Sequence, residues 1–418
     1  MLAAYRGVLN DTPRSTTLSE RSQTINGGPR NYFKTQNRKG KNMKGRLIIV
    51  SGLLTFLLFG AWVTAQAQTQ SARGGSFFMQ FQQDPNNCHG VIKNYDNADA
   101  KTQIQTNLHT MQTNGQQKLT VWIGHLREDS SCGVPGANGV NMRSDVMNGQ
   151  PTCCDYTNYE YQYITNLHNY LSDAQTLYGF NQVVIIMGPE LNNWPRNWES
   201  YTWGVDNYYY YENWYTVTQV VQAVPPGMPF IIILADEALL PTTSSAPMVQ
   251  YVHDIWQQYL QTYGTTTGRN QAGFTIGGVR QTAGVKCTDQ YGSAVDCETP
   301  TNQINDFIAQ MNDVGLGLPN YWPLNMFDYD TNDTNRQNAN WSGYHEVHNA
   351  LAPYSAAPIV ITSTFENDAA TAFGLRAAAN DVLRPISFLM QWPLVVAAGF
   401  NTWDYLVQNF SNYIAYGF

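Results

Sequence analysis

Eight apolar runs rich in β-branched and aromatic residues recur along this 418-residue chain, each separated from the next by a segment with helical spacing. They are Phe77–Phe81, Leu119–Ile123, Val183–Met187, Phe230–Leu234, Phe274–Val279, Leu324–Phe327, Ile359–Thr364 and Phe400–Trp403. Ile, Val and Thr favour a pleated, packed environment, and a nearly continuous apolar run suits a strand covered on both faces. Between the runs, apolar residues fall three and four apart, as in Ile104, Leu108 and Met111, or Tyr163, Leu167 and Tyr170, or Val252, Ile255, Trp256 and Tyr259. That spacing puts them on one face of a helix. Intervals of roughly 35 to 65 residues leave room for a strand, a crossover helix and loops. A repeated β-then-α order implies a parallel sheet.

Eight units predict a closed α/β structure, a (β/α)8 TIM barrel, as a single domain. A doubly wound open sheet is the runner-up, but the first run is not followed by the glycine-rich phosphate loop of a nucleotide-binding version. Pro385 and Pro393 interrupt Ala369–Ala398, and only 15 residues follow Trp403, so the last helix is expected to be short or missing.

The barrel is expected to occupy residues 68–418. Met43 opens a segment in which Lys44 and Arg46 precede an uncharged apolar run that ends in Ala65-Gln66-Ala67, the small-x-small pattern of a signal-peptidase site. Residues 43–67 therefore read as a signal peptide. A membrane anchor is the competing reading, because the apolar run is nearly long enough to span. Residues 1–42, basic and rich in Ser, Thr and Asn, read as a disordered extension that precedes a second possible start at Met43. The residues after Ala67 carry 13 Lys/Arg against 29 Asp/Glu, a net charge near −16. Such a balance argues against nucleic acid or an anionic membrane as a partner and favours a neutral ligand.

All six cysteines (Cys88, Cys132, Cys153, Cys154, Cys287 and Cys297) follow the signal. An even count in an exported chain reads as disulfides. Cys287 and Cys297 flank a short polar loop and are expected to pair; the other four leave three connectivities open. No C-x-x-C pair is present, which disfavours a zinc ribbon. His345-Glu346-Val347-His348 has its histidines three apart, not four as in the zinc-protease motif, so helix-surface histidines are expected there and neither metal nor cofactor. The G-x-S-x-G elbow of α/β-hydrolases is missing too.

Acidic, amide and aromatic residues gather where the runs end. The second run leads to His125 and Arg127, and the third, VVIIMGPELNNW, to Glu190, Asn193 and Trp194. FIIILADEALL delivers Asp236 and Glu237, MFDYD delivers Tyr329, PIVITSTFEND delivers Glu366, and the last run ends at Trp403. A single such acid is more often a helix cap or a solvated loop residue. Three apolar strands that all end in Glu form a pattern, since catalytic groups of β/α barrels sit at the C-terminal ends of strands. The longest insertion, about Arg127 to Tyr156, would shape the cleft from the same end. Two opposed carboxylates are what glycosidic cleavage needs: one protonates the leaving oxygen, the other attacks the anomeric carbon or activates water. Eleven Trp and 26 Tyr, with Trp198, Trp203 and Trp214 among them, would suit the apolar faces of sugar rings.

The pattern resembles the clan A retaining glycoside hydrolases, (β/α)8 enzymes of polysaccharide breakdown. In that clan an acid/base Glu ends strand four, usually after Asn, a nucleophilic Glu ends strand seven, and a Trp commonly closes strand eight. The resemblance implies Glu237 as acid/base, Glu366 as nucleophile, Tyr329 as its neighbour and Trp403 as sugar platform. Glu190, Asn193, Trp194, Asp236 and His125 would bind substrate. Two departures stand out: Asp236 occupies the usual Asn position, and GPELNNW resembles the clan's Asn-Glu-Pro motif more than ADEA does. A count displaced by one strand would make Glu190 the acid/base. The function expected is a secreted glycoside hydrolase acting on a polysaccharide or oligosaccharide. The alternative is a non-catalytic glycan-binding or extracellular structural protein on the same scaffold.

Overall fold

The computed structural model describes residues 71–78, 91–92, 94–124, 146–147, 150–151, 161–188, 207–235, 246–276, 286–288, 294–296, 300–314, 317–326, 332–364, 369–391 and 410–418. By internal contacts the chain divides into two units, and all of these residues belong to the one spanning Gln70–Phe418.

Eight parallel strands make up its sheet: β1 (Gly75–Phe77), β2 (Lys118–Gly124), β3 (Gln182–Gly188), β4 (Phe230–Ile233), β5 (Ala272–Gly273), β6 (Trp322–Met326), β7 (Ile359–Thr364) and β8 (Ile386–Gln391). Their spatial order is β6-β7-β8-β1-β2-β3-β4-β5, every neighbour parallel. The seam between β5 and β6 is bridged by Ile276 against Leu324, with the Ile276 N–H donating to the Pro323 carbonyl at 3.0 Å. The sheet thus closes on itself as an α/β barrel.

Seven of the eight expected runs lie on or beside a barrel strand, and Ile359–Thr364 is matched residue for residue. The eighth is corrected. β8 is Ile386–Gln391, hydrogen-bonded between β7 and β1, whereas Phe400–Trp403 lies outside the described residues. The reason is local. Ala369–Asp381 is alanine-rich and helical, and Pro385 ends any helical continuation while remaining compatible with the position just before a strand. The run ISFLMQ after it is apolar and aromatic. With β8 moved forward, residues 410–415 form a helical segment near the end.

Helices α1 (Ala98–Thr113), α2 (Tyr161–Tyr178), α3 (Asn207–Ala223), α4 (Ala246–Tyr263), α5 (Thr265–Gln271), α6 (Pro300–Val314), α7 (Asp333–Leu351) and α8 (Ala369–Asp381) lie between successive strands, α4 and α5 both between β4 and β5. Asn97 caps α1 by accepting from the backbone N–H groups of Asp99 and Ala100, and Asn332 caps α7 in the same way. The residues spaced three and four apart are buried on the inner helix faces, from Ile104, Leu108 and Met111 on α1 to Ile255, Trp256 and Tyr259 on α4.

Alternation along the strands sorts the core into two layers. On β3, Val183, Ile185 and Met187 face the helices in the larger cluster. Val184 and Ile186 point inward with Trp122, Ile231, Ile233, Val360, Phe388 and Met390. A strand buried on both sides has to be apolar throughout, which is why β3 reads as an unbroken apolar run. Near the end of the chain, Arg376 on α8 donates to the carbonyls of Tyr416 and Gly417 and to the Ser71 hydroxyl, and stacks on the Phe418 ring at 4.2 Å. That clamp ties the last segment to the residues leading into β1.

Candidate active site

In a β/α barrel the loops after the C-terminal ends of the strands form the mouth, and this is where the candidate residues fall in the sequence. His125 comes directly after β2, Glu190 two residues after β3, Glu237 four after β4, Tyr329 three after β6 and Glu366 two after β7. His125, Glu190, Asn193, Trp194, Asp236, Glu237, Tyr329, Glu366 and Trp403 all lie outside the described residues. The structure describes the frame from which they emerge.

Two features of that frame stand out. The first is β7, whose pairing is irregular on both sides. Against β6 the register shifts between Leu324 and Asn325, so that Leu324 pairs with Ile361 and Asn325 with Ser363. Against β8, Ile359 pairs with Ile386 but Ile361 with Leu389. One extra residue in each place bends a strand and re-aims the segment beyond it, a device common beside active sites. Two residues before Glu366, the Thr364 hydroxyl meets the Tyr413 hydroxyl at 2.9 Å, which braces the end of β7 against the segment 410–415.

The second is Trp122, an inward-pointing residue near the end of β2 that in sequence looks like one more apolar strand position. A Cβ built on Gly188 of β3 would come 2.4 Å from the Trp122 ring, so the indole lies against the bare glycine backbone. A large residue and a glycine on adjacent strands plug the barrel interior beneath the mouth. The signal was present as LTVWIG beside IIMG, although only the register shows that they meet.

At the opposite end of the interior sits Lys118, 6 % exposed, whose ammonium donates to the side-chain carbonyls of Gln182 at 2.9 Å and Asn181 at 3.2 Å. It stands 4.8 Å above the Phe388 ring. Burial lowers its pKa to about 8, while the amide oxygens and the ring favour the charged form and offset part of that cost. As the first residue of a seven-residue strand, it is roughly 20 Å from the mouth and belongs to the floor.

The two histidines three apart sit on α7. His345 stacks on Trp341 and its Nε2 lies 3.1 Å from an Asp381 carboxylate oxygen, while Glu346 accepts from the Thr301 backbone N–H and hydroxyl on α6. Burial, followed by the nearby Arg384 and His345, lowers the His348 pKa. These contacts are packing between helices. Among the described residues no three His, Cys, Asp or Glu converge as metal ligands would. Cys287 lies in a short antiparallel pair, Lys286–Thr288 with Ala294–Asp296, and Cys297 lies outside the described residues, as do the other four cysteines.

No protein-family model matches the sequence, and comparison with curated proteins finds no match. Among solved structures, a trimodular GH5_4 subfamily endoglucanase aligns over 83% of this chain and 60% of its own, at 11% identity and a TM-score of 0.51. The family 5 xyloglucanase from Paenibacillus pabuli aligns over 84% of this chain and 99% of its own, at 10% identity and 0.47. A GH5-4 broad specificity endoglucanase from Clostridium longisporum covers 82% and 97%, at 10% and 0.47. This chain spans about three fifths of the trimodular endoglucanase, and shares with it the (β/α)8 barrel fold expected from the clan A resemblance.

Proposed function

We propose that the protein is a secreted glycoside hydrolase that cleaves a polysaccharide or oligosaccharide by a retaining mechanism, with Glu237 as acid/base and Glu366 as nucleophile. The observation that carries the reading is the strand count. Phe230–Ile233 is the fourth strand from the N-terminus and Ile359–Thr364 the seventh, so the two glutamates come after the strands that a clan A enzyme uses. Glu190 comes after the third strand, which favours a substrate-binding role over that of acid/base. That the fold is shared with an endoglucanase agrees with a polysaccharide substrate.

The correction to β8 changes one assignment. Trp392 directly follows Gln391, the last residue of β8, and takes over from Trp403 as the proposed sugar platform. In the reaction Glu237 gives its proton to the glycosidic oxygen as the Glu366 carboxylate attacks the anomeric carbon. Glu237 then takes a proton from the water that releases the glycosyl-enzyme, so a carboxyl separation of about 5–5.5 Å is required. Tyr329 would hold Glu366, and His125, Asn193, Trp194 and Asp236 would line the sugar subsites. Disulfides and cleavage after Ala67 belong to the same proposal, and N-terminal sequencing of exported protein should begin at Gln68.

The test is reducing-end release across a panel of neutral polysaccharides. Wild type releases ends from at least one; Glu366→Gln and Glu237→Gln do not, with circular dichroism unchanged. Glycan binding with no release from any polymer would favour the non-catalytic alternative.

A further inference from the structure

The outer flank of the barrel carries an aromatic platform that the mouth does not use. Trp341, in the middle of α7, is 41% exposed and is the one large apolar side chain on that helix left open to solvent. Its ring is not loose. His345, one turn further on, stacks on it at 3.9 Å between centroids with a 36° interplanar angle. His345 is fixed in turn by Asp381 at the end of α8, 3.1 Å away, whose carboxylate is 58% exposed. The two helices approach closely just above, where a Cβ on Gly374 would meet the Gln337 backbone oxygen at 2.5 Å. Gln337, Trp341 and His345 repeat every four residues and so share the α7 face turned toward α8.

We propose that Trp341, His345 and Asp381 form a surface subsite for a neutral polysaccharide chain. This rests on the reading of the protein as a polysaccharide hydrolase. A pyranose ring offers one apolar face and a rim of hydroxyls. An immobilised indole beside an exposed carboxylate and the exposed amide of Asn338 matches both parts at little entropic cost. A protein partner would call for a contiguous apolar patch; the indole's neighbours on α7 are polar, and the exposed Leu383 beyond Asp381 is a single residue in the turn after α8. An acidic polymer would meet Asp381 and the strongly negative chain. Trp341 stands eight residues into α7, about 12 Å along the helix from its mouth end, so the platform is separate from the strand-end loops. Holding a polymer there raises its local concentration at the mouth without contributing to the chemistry.

Native affinity electrophoresis of the full chain in gels containing hydroxyethylcellulose, xyloglucan or β-mannan tests the subsite. Wild type is retarded by at least one polymer, Trp341→Ala weakens that affinity roughly fivefold or more, and Trp341→Phe keeps most of it. Turnover of a short soluble oligosaccharide of the same sugar stays unchanged in both, while KM on the polymer rises in Trp341→Ala. Equal retardation of wild type and Trp341→Ala overturns the proposal, as does lack of retardation by a polymer the enzyme degrades or by all three. Retardation that depends on Trp341 in a protein that hydrolyses none of them would uphold the subsite and remove the activity.

Discussion

The barrel is built from two unlike halves. From β1 to β4 the strands pair in unbroken register, and β2 and β3 match over seven consecutive positions from Lys118–Gln182 to Gly124–Gly188. From β5 to β8, β5 is two residues long, the seam with β6 is an isolated bridge, and both flanks of β7 shift register. Regular ladders over uniform apolar side chains maximise burial and hydrogen bonding. Register shifts forfeit some of both and gain control over where a strand end points. The first half is therefore the stabilising wall. The second is the adjustable one, and it delivers the proposed nucleophile.

The strongest way to break this division is at the glutamates. Glu366→Gln, after the irregular β7, should lower kcat/KM by about 10⁴-fold or more, whereas Glu190→Gln, after the regular β3, should lower it about 10²-fold, mainly through KM. Steady-state kinetics on the best polymer compares them, and a reversed order would put the nucleophile in the regular half, at Glu190. Next comes the wall itself. Ile185 is fully buried between β3 and the helices, and Ile185→Ala should cost about 3 kcal/mol by urea denaturation with activity retained below the transition.

A smaller loss is expected in the adjustable half. Gly374→Ala would set a methyl group 2.5 Å from the Gln337 backbone oxygen. Overpacking against a backbone atom costs about 1–3 kcal/mol and outweighs the ~1 kcal/mol that alanine gains over glycine in a helix. A thermal melt below that of wild type is the expected result.

The smallest effect concerns Lys118 at the floor. Its folded pKa of about 8 lies below the ordinary lysine value of 10.5, so the unfolded chain binds more protons between these values. Stability therefore rises with pH across that window, and the penalty is constant below it. Allowing for the amide and ring contacts, the gain from pH 8 to 10 should be about 1–2 kcal/mol. Urea midpoints measure it, and Lys118→Met should flatten the slope.

How much was legible in the sequence tracks the same division. The wall strands could be read directly, because Val183–Met187 and Leu119–Ile123 are apolar on both faces. β7 was equally clear as PIVITST, yet its register shifts left no mark, since pairing depends on the partners and not on composition. β8 was hidden between Pro385 and Pro393, where a short apolar run reads as a broken helix. β5 is too short to read at all, and Phe274–Val279 marked its place only because Ile276 continues the ladder. At the site, counting strands assigned Glu237 and Glu366 to the fourth and seventh ends, while the plug of Trp122 over Gly188 needed three-dimensional register.

The Arg376 clamp has a consequence for how the barrel closes during folding. Its partners span the chain, since the guanidinium holds Ser71 as well as Tyr416 and Gly417, and Arg73 reaches the Phe418 backbone oxygen at 3.3 Å. The contacts that hold the residues leading into β1 come from positions 305 and 345 residues further along. Helices and neighbouring strands can form from local contacts, but this closure joins segments more than 300 residues apart, which gives it a high loop-closure cost.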